Sequence, residues 1–239
     1  DLVIDLYTAA IVAATGLRVV KHGNRAASSS SGSADVPEAL GVSLTLAPEQ
    51  VAAVAHEAGI TFCFANAFHP SMRHAAVARR DLGVGTAFNA LGPLTNPGQP
   101  TYAAVGVADA RIAPLIAGVF AGRGRAAAVF RGDDGLDELT LATTSTVWWV
   151  RDGDVTELSL GGDAAHTAQV GRDLLAGEVG PVRDAVVLNA GMALATASGL
   201  GDDVSSAALT RAVDEGMRRA RAAVEDAAAA GPLERWGSA

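Results

Sequence analysis

The stretch from Thr101 to Leu160 constrains the fold most. "YAAVGVA" (102–108) is short and apolar, "IAPLIAGVFAG" (112–122) has helical length, and "RAAAVFRGD" (125–133) is apolar again. Strand, crossover helix and strand in that order build a parallel pair. Directly afterwards "LTLATTSTVWWVRDGDVTELSL" (139–160) alternates and is rich in β-branched residues, with Asp152-Gly153 in its middle. An Asp-Gly turn between alternating runs joins antiparallel strands. The prediction is an α/β fold whose mixed central sheet is flanked by helices.

The remaining segments fit that frame. Helices are predicted over 8–14, 47–59, 69–83, 166–176, 181–198 and 205–229, and short strands over 17–20 and 60–65. The 69–83 segment carries proline at its start and glycine at its end. Asp35 has the character of an N-cap, with Pro37 in the first turn and Glu38 three residues on. A chain of 239 residues is expected to form one domain, 1–239.

With 49% hydrophobic and 18% charged residues the chain suits a packed protein. A net charge of -8 argues against nucleic acid as a partner, although a small anion needs only a few positive groups. No apolar stretch approaches the ~18 residues that cross a bilayer, so no membrane partner is expected. No signal-peptide pattern opens the chain, and the one cysteine, Cys63 in "ITFCFA", reads as a buried small hydrophobe. A cytoplasmic location is the expectation.

Three stretches carry chemistry. In "VVKHGNRAASSSSGSAD" (19–35) the chain's only lysine, Lys21, follows an apolar run and precedes small and hydroxylated residues. Small residues let backbone N–H groups approach an anion, and an ammonium on a flexible stem suits phosphate oxygens. In "RGDDGLDELTL" (131–141) the adjacent carboxylates Asp137 and Glu138 are oxygen ligands of the kind that magnesium takes together with phosphate and water. In "FHPSMRHAAVARRDLG" (68–83) Arg79 offers a planar fork for a carboxylate, whereas His69 and His74 lack the spacing of a zinc pair. "GRGRAA" (122–127) has a dinucleotide-like glycine spacing but runs from helix to strand, the reverse of what that motif needs.

Together "KHGNRAASSSSGSADVPEALG", "FCFANAFHPSMRHAAVARRDLGVGTAFNALGPLTNP", "DGLDELTL" and "GPVRDAVVLNAGMALA" resemble the anthranilate phosphoribosyltransferase family, in the family's order. The resemblance implies a nucleoside phosphorylase/phosphoribosyltransferase-like fold, with 69–92 part of a helical subdomain. It implies Mg-dependent transfer of phosphoribosyl from phosphoribosyl diphosphate to the amine of anthranilate, as a step of tryptophan biosynthesis, by a homodimer. Lys21, His22, Gly23, Asn24, Arg25, Ala26, Ala27, Ser28, Ser29 and Ser33 would line the donor site. Asn24 and Arg79 would contact anthranilate, Asp137 and Glu138 would hold Mg²⁺, and no residue is assigned as a catalytic acid or base.

The chain departs from the family pattern in two places. No Gly-Thr-Gly-Gly-Asp loop precedes "IDLYTAA", where Asp5 and Leu6 stand at the family's serine and threonine. The connection at "ELSLGGDAAHTA" is short, with Thr167 at an expected asparagine. The two missing stretches are expected to be segments left out of the sequence, which leaves Asp5 and Leu6 as departures of their own. The alternatives to this function are a paralogue using another aromatic acceptor and a non-catalytic ligand-binding descendant. Lys21→Ala is expected to weaken phosphoribosyl diphosphate binding by about 1–3 kcal/mol, the scale of a hydrogen bond to a charged group, measured by titration calorimetry. Unchanged affinity would remove Lys21 from the donor site.

Overall fold

A computed structural model of the chain describes residues 2–25, 33–83, 86–161, 181–226 and 228–238. The predicted helix over 166–176 and the site residues Ala26, Ala27, Ser28 and Ser29 lie outside these. The described residues fall into two compact units, one from Leu2–Pro100 with Ala223–Ala239 and one from Thr101–Ala222.

The first unit runs α1 (Leu2–Ala14), β1 (Val19–Gly23), α2 (Asp35–Ala39), α3 (Pro48–Glu57), β2 (Ile60–Phe64) and α4 (Ala65–Phe68). A 3₁₀ turn (Pro70–Met72), α5 (Arg73–Leu82) and α6 (Ala87–Leu94) follow. β1 and β2 pair in parallel, setting Lys21 opposite Phe62, His22 opposite Cys63 and Gly23 opposite Phe64. Their core gathers Leu6, Ala9 and Ala13 of α1, Val54 and Ala58 around the end of α3, and Ile60 and Phe62 of β2. Burying Leu6 in this cluster accounts for an apolar residue at that position of α1. α5 ends where Gly83 turns left-handed at φ 61, as glycine readily does.

Two expectations are corrected here. The strand predicted over 17–20 instead spans Val19–Gly23 and is half-buried, so Lys21 lies within the strand and not in a loop after it. Its polar letters resemble a loop, but its backbone is in the β2 ladder. Asp35 is the first residue of α2 and not its cap. Ala34 occupies the cap with no side-chain bond, and Glu38 turns to Arg25.

The second unit holds β3 (Tyr102–Gly106), α7 (Ala113–Gly122), β4 (Ala126–Gly132), β5 (Ser145–Arg151) and β6 (Asp154–Leu160). It also holds α8 (Pro181–Ser198) and most of α9 (Ser206–Glu225); α10 (Ala230–Ser238) belongs to the first unit. The four strands lie in the order β3-β4-β5-β6, the first pair parallel and the other two antiparallel, which is the mixed sheet expected. Asp152 (φ 52) and Gly153 (φ 89) make the tight turn. The helix predicted over 205–229 stops at Glu225.

Apolar residues surround α8, with Val187, Ala190 and Met192 fully buried. It crosses α9 backbone to backbone. A β-carbon at Gly191 would lie 2.7 Å from Met217 Cγ and 2.9 Å from the Val213 carbonyl, and one at Gly216 would collide with the Gly191 carbonyl. In an open helix Gly→Ala gains up to about 1 kcal/mol of propensity. Here the overlap is with backbone, so Gly216→Ala is expected to cost a net 1–3 kcal/mol, about the usual overpacking penalty, in urea unfolding. A neutral or stabilising result would show that the crossing has slack.

Candidate functional site

In the first unit the strand register presents Lys21, His22 and Gly23 in succession, and alternate side chains leave opposite faces. His22 Nδ1 lies 3.1 Å from the Gly92 carbonyl, so this nitrogen carries the proton and donates it. His22 Nε2 is then the acceptor, and it sits 3.1 Å from Nε2 of His69, which donates. The rings meet edge to face at 5.0 Å. Burial holds the His22 imidazole below its ordinary value of 6.5, the Gly92 bond opposes this, and His69 adds to it.

A β-carbon at Gly23 would displace the Ser33 hydroxyl and press on the Phe62 ring at 3.1 Å. Ser33 Oγ in turn donates to the Asn24 carbonyl at 3.3 Å, and the Ala34 amide donates to the same oxygen at 3.2 Å. Asn24 is thereby tied to Ser33 and Ala34. The Asn24 side chain takes the Arg25 amide on Oδ1 at 2.9 Å and donates to Asn66 Oδ1 at 3.2 Å. Arg25 grips Glu38 with both arms at 2.6 Å and lies over the Phe64 ring at 5.9 Å. The Glu38 bond, with its charge, raises the Arg25 guanidinium above its ordinary value. Arg79 on α5 stacks over the Phe88 ring of α6 at 5.0 Å. Cys63 is buried, which pushes its thiol up to about 11 and leaves it an inert core residue.

In the second unit the acidic loop leaves the C-terminal end of β4. The structure divides its four carboxylates into two kinds. Asp133 accepts the Thr144 hydroxyl, and Asp134 accepts the Leu136 amide at 3.1 Å and the Thr140 hydroxyl at 3.3 Å. These two build the turn around Gly135 (φ 94). Asp137 is exposed and Glu138 half-buried on the outgoing arm. The arm is confined from below: a β-carbon at Gly106, the last residue of β3, would collide with the Asp137 carbonyl. Among the described residues no group of three or more His, Cys, Asp or Glu side chains could hold a metal alone. Two adjacent carboxylates still fit Mg²⁺, which commonly takes one or two and completes its shell from phosphate and water.

Sequence reasoning missed His69, set aside for lacking zinc spacing, and Asn66. Only the β1–β2 register and α4 bring them beside His22 and Asn24. It also passed over Gly106, whose role shows only when β3 lies under the acidic loop.

The first unit carries Lys21 on a parallel strand pair and the second carries adjacent carboxylates beyond a glycine turn, residue types that suit a phosphorylated anion and a divalent cation respectively. A family model described as glycosyl transferase family, a/b domain, matches residues 2–230. The anthranilate phosphoribosyltransferase of a Nocardioides species is 56% identical across 98% of this chain and 72% of its own length. That of Salinispora arenicola is 53% identical across 95% and 67%. Among solved structures, anthranilate phosphoribosyltransferase from Thermus thermophilus superposes with a TM-score of 0.79 at 38% identity, covering 98% of this chain and 72% of that one. The Saccharomyces cerevisiae enzyme in complex with PRPP and Mg gives 0.75 at 25%, covering 96% and 67%. The chain belongs to the anthranilate phosphoribosyltransferase family.

The lowered His22 value fixes a sign for acid stability. Below about pH 6.5 the unfolded chain takes up a proton that the native imidazole resists, so the unfolding free energy falls as pH drops through that window, then levels below the native value. His22→Gln is expected to flatten this part of the profile in urea melts between about pH 7 and pH 5. An unchanged acid slope would show that burial of the ring is not felt.

Proposed function

We infer that this chain transfers the phosphoribosyl group of phosphoribosyl diphosphate to the amine of anthranilate, releasing diphosphate, in tryptophan biosynthesis. The observation that carries this is the Lys21–Gly23 strand end with its tied loop, in a chain 56% identical to an enzyme of that name. Lys21 and the loop that Ser33 closes receive the donor's phosphates. Bonding Ser33 and Ala34 to the Asn24 carbonyl fixes these residues before the anion arrives, so less order is lost there on binding. The yeast relative crystallised with PRPP and Mg supports the donor and the metal.

Asp137 and Glu138 would hold the magnesium ion. When bound, it supplies neutralisation of the charge that grows on the departing diphosphate. Arg79, its guanidinium held over Phe88, would pair with the acceptor's carboxylate, and Asn24 would complete the acceptor contacts. Anthranilate's aromatic amine is neutral at physiological pH, so orienting it matters more than removing a proton from it.

Among the described residues no helix is long and apolar enough to cross a membrane. In the same proposal the protein works in the cytoplasm as a homodimer, with residues 69–92 forming part of a helical subdomain. Exposed Val77 and Leu82 on α5 and Leu91 on α6 give a partner an apolar surface.

Steady-state assays with phosphoribosyl diphosphate, Mg²⁺ and a panel of aromatic amines test the function, and turnover with only another acceptor would refute it. Arg79→Ala is expected to raise the KM for anthranilate by about 10-fold or more, as loss of a charge-assisted hydrogen bond would, with little change in the donor's KM. An unaltered anthranilate KM would take Arg79 out of the acceptor site.

A further inference from the structure

Asn189 lies in the middle of α8 and is 6% exposed. A buried amide in an apolar helix is costly unless every polar atom is matched. Its Oδ1 accepts the Leu139 amide at 3.1 Å, and its Nδ2 donates to the Leu139 carbonyl at 3.0 Å and to the Ala185 carbonyl at 2.8 Å. Reversing the amide would set its NH₂ against the Leu139 N–H, so the network itself fixes the orientation. Only one backbone bond of the three lies within α8. The other two seize both polar groups of a single residue in another segment, as a strand neighbour would.

That residue directly follows Asp137 and Glu138. The Leu139 side chain is fully buried, so its position is fixed by the core as well. On the other side the Asp137 carbonyl is pressed against Gly106, with no room for a β-carbon. The two carboxylates therefore stand on a backbone gripped at both ends, by β3 and by α8. A carboxylate pair that must meet a cation with narrow geometric demands benefits from that fixing.

We propose that Asn189 is a positioning residue for magnesium: its amide clamps Leu139 and so holds Asp137 and Glu138 in the arrangement that binds the ion together with the donor's diphosphate. The proposal rests on the functional reading above. Groups that orient metal ligands typically contribute 10–100-fold to metal affinity. Asn189 touches neither ion nor substrate and acts only through the loop.

Mn²⁺, a spectroscopic substitute for Mg²⁺, tests this by paramagnetic resonance titration of the purified protein with phosphoribosyl diphosphate present. Asn189→Ala removes the clamp. Asn189→Ser removes it too but keeps a hydroxyl able to bond the Ala185 carbonyl, as Thr196 bonds Met192 at 2.9 Å, which protects folding. Thr196→Val is the control: it removes a buried bond from the same helix, about two turns beyond Asn189, whose partner is the Met192 carbonyl and not the loop. Both Asn189 variants are expected to bind Mn²⁺ about 10-fold more weakly, while Thr196→Val stays at the parental value even where its melting temperature falls. Parental affinity in Asn189→Ser would overturn the proposal, and so would an equal loss in Thr196→Val. If the parent protein itself binds no Mn²⁺ with the donor present, the metal assignment of Asp137 and Glu138 fails and takes this proposal with it.

Discussion

Five residues of parallel pairing, Val19–Gly23 against Ile60–Phe64, set the place of every group around Lys21. A parallel pair needs a long crossover, and α2 and α3 supply it between the two strands. The order lost in closing that connection is offset by the apolar cluster that Leu6, Val54, Ile60, Phe62 and Trp236 form around it. Once the register is set, alternation sends His22 to the face opposite Lys21 and Gly23, where it meets Gly92 and His69. A slip of one residue would exchange the faces and lose both contacts.

Each unit pins one backbone segment with an asparagine amide. In the first, Asn96 Nδ2 donates to the Val20 carbonyl at 2.9 Å, and a β-carbon at Gly98 would come within 2.7 Å of Val20. In the second, Asn189 takes both backbone groups of Leu139 while Gly106 lets the Asp137 backbone close in. In each case an asparagine amide donates to a backbone carbonyl, while a glycine leaves room for the Val20 side chain in the first unit and the Asp137 backbone in the second. Under the proposed function, the chemistry-bearing residues are thus carried beside backbone that has few alternatives.

What the sequence made legible follows from the range of the signals. The parallel pair, the Asp152-Gly153 turn and the α8 bounds depend on local pattern, and the structure has them where they were expected. The extent of β1 was not legible, because Lys21, His22 and Gly23 look like a loop by composition and become strand only through β2, some forty residues on. The acidic loop was legible as a cluster but not as two pairs. Only hydrogen bonds to Thr140 and Thr144 show that Asp133 and Asp134 build the turn. The His22–His69 contact joins residues 47 apart, a separation over which no periodicity speaks.

The solitary lysine gains a physical reason from what the nearby arginine does. Arg25 holds Glu38 through two parallel bonds and faces Asp35 at 3.7 Å, so its fork serves the wall of the loop. Turning it toward a phosphate would strand the Glu38 carboxylate beside a second anion, and like charges at close range repel. Arg111 on Asp109 and Arg131 on the Ala108 carbonyl show the same habit, planar forks fixed on groups within the fold. An ammonium has no such plane to match. Lys21 is carried on a paired strand, and under the proposed function an ammonium on a flexible stem suits a phosphate whose oxygens turn. Under the proposed function, the arginine keeps the cradle's shape and the lysine answers its contents, so exchanging the two residue types would damage both roles at once.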